Sequence, residues 1–365
     1  MTFPAEAGRR QAGPVDHAGL RVRVERALAG FLAQQRAHLT GVDPALVPVA
    51  DAVEAFVLGG GKRLRPAFAY WGYRGAGGSD RDQVVAAVAA LELVQASALI
   101  HDDVMDGSDL RRGEPAVHRR FAAAHRSAGW HGDQERFGTA AAILLGDLCL
   151  IWSDEMLDAA GVEPAALARA QPVFHRMRTE VTAGQYLDLH TQATRDATIA
   201  RASKVARYKS AKYTVEHPLL FGAALARAPA GITAAYSSYG LPIGEAFQLR
   251  DDVLGIFGDP SHTGKPAGDD LREGKRTYLV AAAFDAASPA DHATLTAGLG
   301  DPALDEAGVQ RLREIITATG ALARTERRID ELVATALSAL ATVPLDPEAA
   351  TVLTELATAA TSRTD

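Results

Sequence analysis

Alanine and leucine recur at helical spacing over nearly the whole chain, and no run of alternating β-branched and polar residues interrupts them. An all-α fold follows. Breaks at Gly75 to Ser79, Gly107 to Pro115, Gly161 to Pro164, Ala228 to Gly231, Gly258 to Gly268 and Gly298 to Pro302 divide the pattern into about ten or more helices of ordinary length. Residues 1–18 are rich in Pro, Gly and Ala and weakly periodic, and the residues after Ala360 are polar, so both ends are expected to be disordered or frayed. No internal repeat or low-complexity linker separates what lies between, so residues 19–360 read as one helical domain.

Hydrophobic residues make up 47% of the chain and charged residues 23%, the balance of a globular protein with a sizeable core. The net charge of -7 repels nucleic acid, so any phosphate-binding cations must act locally. Cys149 is the single cysteine, which excludes an intrachain disulfide and a Cys-based zinc site; it reads as a small buried hydrophobe. No apolar h-region follows Arg9 and Arg10, which points to a cytoplasmic protein. Val84 to Ile100 is shorter than a membrane span and carries Glu92 and Gln95, so it is expected to be a core helix rather than a transmembrane segment.

Chemistry concentrates in His101-Asp102-Asp103-Val104-Met105-Asp106, at the end of that apolar helix. Asp102 and Asp106 are four residues apart and share a face, where two carboxylates can converge on a hard cation. Tracing the face backwards gives Ala98, Gln95, Leu91, Val88 and Val84, an apolar wall with acids at its mouth. A second cluster, Asp251-Asp252, ends another amphipathic helix on which Gly244, Gln248, Asp251 and Gly255 share one face. An isolated acidic pair would read as a solvated helix end; two similar pairs argue for a shared cavity.

Mg²⁺ held by carboxylates usually completes its shell with water and substrate phosphates, so a diphosphate substrate is implied. Basic residues to receive it come in compact groups. Lys62, Arg63 and Arg65 follow the three glycines Gly59 to Gly61, and Arg111 and Arg112 follow the first acidic turn. The glycines permit close backbone approach to a phosphate but lack P-loop spacing, which excludes a nucleotide site of that kind. Lys209 with Ser210, then Lys265 and Lys275, are further candidates; Gly258 to Lys275 is a glycine-rich stretch able to close over a bound diphosphate.

With these segments in order, residues 50 to 280 resemble the trans-type polyprenyl diphosphate synthases, geranylgeranyl diphosphate synthases most of all. The resemblance rests on Gly60 to Pro66, Asp102 to Asp106 with Leu110-Arg111-Arg112-Gly113, Lys209, Phe247-Gln248 and Asp251-Asp252. It implies an isoprenoid synthase-type helical bundle around a central cavity, usually a homodimer, with Mg²⁺ between the acidic helices. Asp102, Asp106 and Asp251 match the metal positions, supported by Asp103 and Asp252. Arg111, Lys209, Gln248 and Lys265 match the allylic diphosphate side; Lys62, Arg65, Gln95 and Arg112 match the isopentenyl diphosphate side. The family's second motif usually has a third aspartate where this chain has Gly255, a departure expected to tune metal affinity.

The reaction suited to such a site is ionisation of an allylic diphosphate, attack by isopentenyl diphosphate and loss of a proton. A terpene cyclase would not need Lys62, Arg65 and Arg112 for a second diphosphate, and a non-catalytic regulatory subunit typically loses the acidic motifs. Ser97 and Ala98, one turn before Asp102, are too small to stop a growing tail, so a product of twenty carbons is expected, with a longer-chain synthase as the alternative. The floor is expected at larger side chains such as Leu91 or on a facing helix.

Overall fold

The structure is a computed structural model that describes residues 14–258 and 268–362. A short 3₁₀ turn, Pro14–Gly19, precedes α1 (Leu20–Val42), α2 (Val47–Leu58), α3 (Leu64–Gly75), α4 (Asp82–Met105), α5 (Val117–Ala128), α6 (Gln134–Asp158) and α7 (Pro164–Thr194). Next, α8 (Ile199–Val205), a π-helical segment (Ala206–Glu216) and α9 (His217–Leu225) abut end to end, followed by α10 (Ala230–Phe257). The C-terminal part contains α11 (Asp269–Arg272), α12 (Tyr278–Ala286), α13 (Pro289–Gly298), α14 (Glu306–Ala318), α15 (Ala321–Leu340) and α16 (Pro347–Thr361). Of the N-terminal stretch expected to be disordered, residues 1–13 lie outside the described residues, and His17 in the turn that follows bonds to Glu355 of α16 at 2.7 Å.

The expected breaks among the described residues fall at or between the ends of these helices, the one at Gly258 to Gly268 lies largely outside the described residues, and the all-α fold carries one short hairpin. Leu110–Arg111 and Glu114–Pro115 pair as antiparallel two-residue strands. Two residues are too few to show an alternating pattern; the turn is made by Arg112 and Gly113, both at positive φ (55° and 79°).

Burial explains the arrangement. Val84, Val88, Leu91, Leu93 and Ile100 of α4 are all buried, because α1, α3 and α6 pack around that helix. Among the described residues it is the one helix long and apolar enough to cross a membrane, and most of its apolar window is instead covered by protein. Cys149 on α6 joins the same core, where burial pushes its thiol up to about 12. A second apolar cluster, with Val253, Ile256, Leu271, Leu279, Val309 and Ile316, fastens α11, α12 and α14 to the end of α10. α11, α12 and α14 are thereby held beside the end of the helix that carries the second acidic motif.

α4 ends at Met105, before Gly107 turns the chain at φ 67°. α10 ends at Phe257, before Gly258 leaves helical conformation. Both acidic motifs thus occupy the last turns of long helices rooted in the core, which fixes their backbones.

Candidate active site

A cavity of about 1180 Å³ lies between α4, α7, the π-helical segment and α10. Asp102 opens into it from α4, and Asp251 and Asp252 from α10. Lys62, Arg65, Gln95, Lys209, Ser210, Gln248 and Lys275 also line it, so residues from 62 to 275 in the sequence share one space. Away from the acids the wall continues through Val94, Ser97 and Ala98. Leu91 is buried outside the cavity; the facing helices contribute Leu150, His175 and Arg178 instead.

Lys209 reaches the acids because of an unusual backbone. The π-helical turns that carry Lys209, Ser210, Tyr213 and Thr214 present all four to the cavity, and such wide turns recur at functional sites. Gly184 of α7 makes the approach possible: a Cβ there would lie 2.6 Å from the Tyr208 carbonyl carbon and 2.8 Å from Lys209 Cα. With the helices this close, Lys209 Nζ donates to Asp188 Oδ2 at 2.7 Å and to Asp102 Oδ1 at 3.2 Å. Gln185 Nε2 donates to the same Asp102 oxygen at 2.8 Å. Gln185 and Asp188 were not singled out in the sequence, although they are three apart on one face beside Gly184.

The acids differ in character. Burial raises the Asp102 carboxyl, but Lys209, Lys275 and Arg111 outweigh it and hold the group below the usual carboxylate range. Asp106 is pushed up to about 6 by burial and by the Asp102 charge. Asp252 is pushed up to about 8, chiefly by burial, although Gln248 Nε2 donates to it at 2.7 Å. Ser210 Oγ donates to Gln248 Oε1 in turn. Lys275 Nζ links the first acidic end to α11 and the turn after it, 3.3 Å from Asp270 Oδ1, 2.5 Å from Glu273 Oε2 and 3.8 Å from Asp106 Oδ2. Its neighbours hold its pKa well above the ordinary lysine value even though burial opposes this.

Oxygen donors gathered under mutual repulsion suit a hard divalent cation. Among the described residues no three His, Cys, Asp or Glu side chains form a cage for one. The carboxylates that line the cavity, Asp102, Asp251 and Asp252, fit a divalent cation.

Asp103, Arg111 and Arg112 lie outside that lining. Asp103 is buried and accepts bonds from Arg111, 2.9 Å from Nε, so that pair braces the first acidic turn. Arg112 donates to the Gly60 carbonyl at 2.9 Å, which ties the hairpin to the glycine turn. Arg65 lies 4.3 Å from the Tyr213 ring centre and donates to Thr214 at 2.8 Å. Lys265 lies outside the described residues. Arg63 corrects the expectation of a substrate-binding residue. Its side chain is 3% exposed, turned inward from a backbone at φ 50°, and donates to Glu92 at 2.7 Å and to the Val57 carbonyl at 2.8 Å. A basic run cannot reveal this, because Arg63 takes a left-handed backbone just before α3 and so does not point where a continuous helix would send it.

Acidic helix ends facing one another across a cavity with an apolar extension define a class of helical enzymes that handle isoprenoid diphosphates. The pattern of the polyprenyl synthetase family matches residues 48–316. A geranylgeranyl diphosphate synthase of Methanosarcina mazei is 33% identical over 296 residues, 79% of this chain and 84% of that protein. A geranylfarnesyl diphosphate synthase of Aeropyrum pernix is 32% identical over 289 residues, 78% of this chain and 84% of that protein. The crystal structure of a Corynebacterium glutamicum geranylgeranyl pyrophosphate synthase complexed with isoprenyl diphosphate and magnesium superposes with a TM-score of 0.90 at 41% identity, covering 93% of this chain and 97% of that one. The chain belongs to the polyprenyl synthetase family and is a prenyltransferase.

The buried Arg63–Glu92 pair yields a prediction for stability. Arg63→Ala leaves Glu92 buried without its partner and is expected to cost about 3–5 kcal/mol in urea unfolding, whereas Arg65→Ala costs much less. An Arg63→Ala midpoint equal to wild type would return Arg63 to the list of ligand candidates.

Proposed function

We propose that this enzyme uses Mg²⁺ to condense isopentenyl diphosphate with an allylic diphosphate, dimethylallyl, geranyl or farnesyl, and releases geranylgeranyl diphosphate. The observation that carries the reading is the cavity, in which acids of two helix ends and the Lys209 and Lys275 ammonium groups meet beside a wall that includes the small residues Ser97 and Ala98. The magnesium and isoprenyl diphosphate in the Corynebacterium structure support the choice of ion and ligand.

In this reading Asp102, Asp106 and Asp251 hold the metal, with Asp103 and Asp252 behind them. The bound ion supplies charge that stabilises the departing diphosphate. Lys209, Lys265, Gln248 and Arg111 receive the allylic diphosphate, Ser210 orients Gln248, and Lys275 adds a cation at the same end. Lys62, Arg65, Gln95 and Arg112 receive isopentenyl diphosphate. The allylic carbon–oxygen bond breaks with its electron pair on diphosphate, the isopentenyl double bond forms the new carbon–carbon bond, and the released diphosphate takes the proton. No side-chain nucleophile is required; cations fixed in advance lower the barrier.

A homodimer is supported by the outer face of α6, where Phe137, Leu144 and Ile151 repeat every seven residues and the last two are 63% and 60% exposed. Light scattering at assay concentration is expected to give twice the chain mass; a monomer would remove this part of the reading.

Asp102→Ala and Asp106→Ala are each expected to lower kcat/KM by at least about a hundredfold, with the circular dichroism spectrum kept, because each removes charge stabilisation from the leaving group. Near wild-type turnover in either variant at saturating Mg²⁺ would remove that residue from the metal site. Formation of a cyclic hydrocarbon without uptake of isopentenyl diphosphate would favour a cyclase.

Product length is read after removal of the diphosphate. The wild type is expected to give a twenty-carbon alcohol and Ala98→Phe a shorter one, since a ring at 98 projects into the cavity. A wild-type product of twenty-five carbons or more would replace the geranylgeranyl assignment, and an unchanged length in active Ala98→Phe would show that the tail takes another path.

A further inference from the structure

The π-helical segment ends on a contact that lies outside the cavity. Its last wide turn closes with the His217 backbone N–H donating to the Lys212 carbonyl, five residues back. The side chains of the same two residues meet on one oxygen of α7: Glu180 Oε2 accepts from Lys212 Nζ at 2.8 Å and from His217 Nε2 at 2.9 Å. In an α-helix residues five apart are turned about 140° from one another, so a single carboxylate receives both only while the turn stays wide. Burial raises the Glu180 carboxyl, but Lys212 and His217 outweigh it and hold the group below the usual carboxylate range. Glu216, beside His217, is 3.8 Å from Lys212 Nζ and accepts from Ser237 of α10. None of Glu180, Lys212, Glu216 and His217 lines the cavity.

The contact has leverage on a residue that does. Glu180, Gly184 and Asp188 follow at steps of four on α7 and so share the face turned to the segment. Asp188 holds the Lys209 ammonium, Gly184 admits the Lys209 backbone, and Glu180 holds the turn three residues further on. On the other side α10 packs so closely that a Cβ at Gly240 would lie 2.8 Å from Glu216 Cα, and one at Gly244 2.5 Å from Ala211 Cα. α9, where the wide turns end, is anchored in the core through Leu219 and Phe221. Relaxation of the last wide turn to an α turn would therefore rotate what precedes it, Lys209 included, by about 100° around the axis for the one residue of register lost.

We infer that Glu180 is a positioning residue for the reaction: by accepting from Lys212 and His217 together it keeps the last wide turn closed, and thereby keeps Lys209 aimed at Asp102. The inference rests on the proposed role of Lys209 in receiving the allylic diphosphate. It adds to that role a carboxylate that touches neither substrate nor cation.

The test uses the full chain and reads kcat/KM for farnesyl diphosphate at saturating isopentenyl diphosphate. Glu180→Gln keeps the shape of the side chain and removes its charge; it is expected to lower kcat/KM about tenfold with the circular dichroism spectrum kept, because a reacting group is displaced. Lys209→Met is expected to lower it about a hundredfold. Added to Lys209→Met, Glu180→Gln is expected to cost about twofold or less, since its effect passes through the ammonium; a loss of stability alone would be the same in both backgrounds. Lys212→Met removes one donor and leaves Glu180 its histidine, so a smaller loss is expected, again only where Lys209 is present. That variant, read by the same cycle, decides the question if Glu180→Gln does not fold. Wild-type efficiency in folded Glu180→Gln, or an equal fractional loss with and without Lys209, would overturn the inference and leave the role of Lys209 standing. Unchanged efficiency in Lys209→Met would overturn both, which distinguishes the two failures.

Discussion

Lys209 and Lys275 hold together acids that would otherwise repel one another, and the rest of the cavity is arranged around that attraction. Asp102 stays ionised because Lys209, Lys275 and Arg111 surround it; Asp106, buried beside the Asp102 charge, is pushed up to about 6. Like charges gathered in a partly buried space store repulsion that a cation can relieve. The protein supplies some of that relief itself, with one ammonium from the π-helical segment and one from the turn after α11.

Such an arrangement survives only on rigid supports. α4 is buried along its length and delivers the first acidic turn at a fixed height, while α10 is fastened at its end by the C-terminal apolar cluster. Lys209 depends on a closer fit, in which the absence of a side chain at Gly184 brings α7 against the π-helical turns and Lys209 within reach of both Asp188 and Asp102. The Arg63–Glu92 pair acts one layer further out, binding the turn before α3 to the middle of α4. Preorganisation of this kind suits a reaction in which charge moves and no side chain forms a bond.

Membership of the polyprenyl synthetase family explains why helical spacing, two acidic motifs and a few basic runs were so informative in this chain. Each is a local pattern with a local physical cause: a helix end, a face shared by residues four apart, a glycine turn. Gly255 is the instructive departure. Where the resemblance leads one to expect an aspartate, the bare Gly255 lies against the Asp270 carboxylate in the folded chain.

The sequence by itself determined the all-helical class and the core position of α4, because periodicity encodes which face a side chain occupies. Only the tertiary structure decided that Arg63 turns inward to Glu92 while Arg65 lines the cavity, that Gln185 and Asp188 hold the first acidic end, and that Leu91 is no part of the wall. These are contacts between residues far apart in the chain, and their partners are chosen by how closely helices approach. That distance is set by side chains on both helices at once, so no single segment contains it.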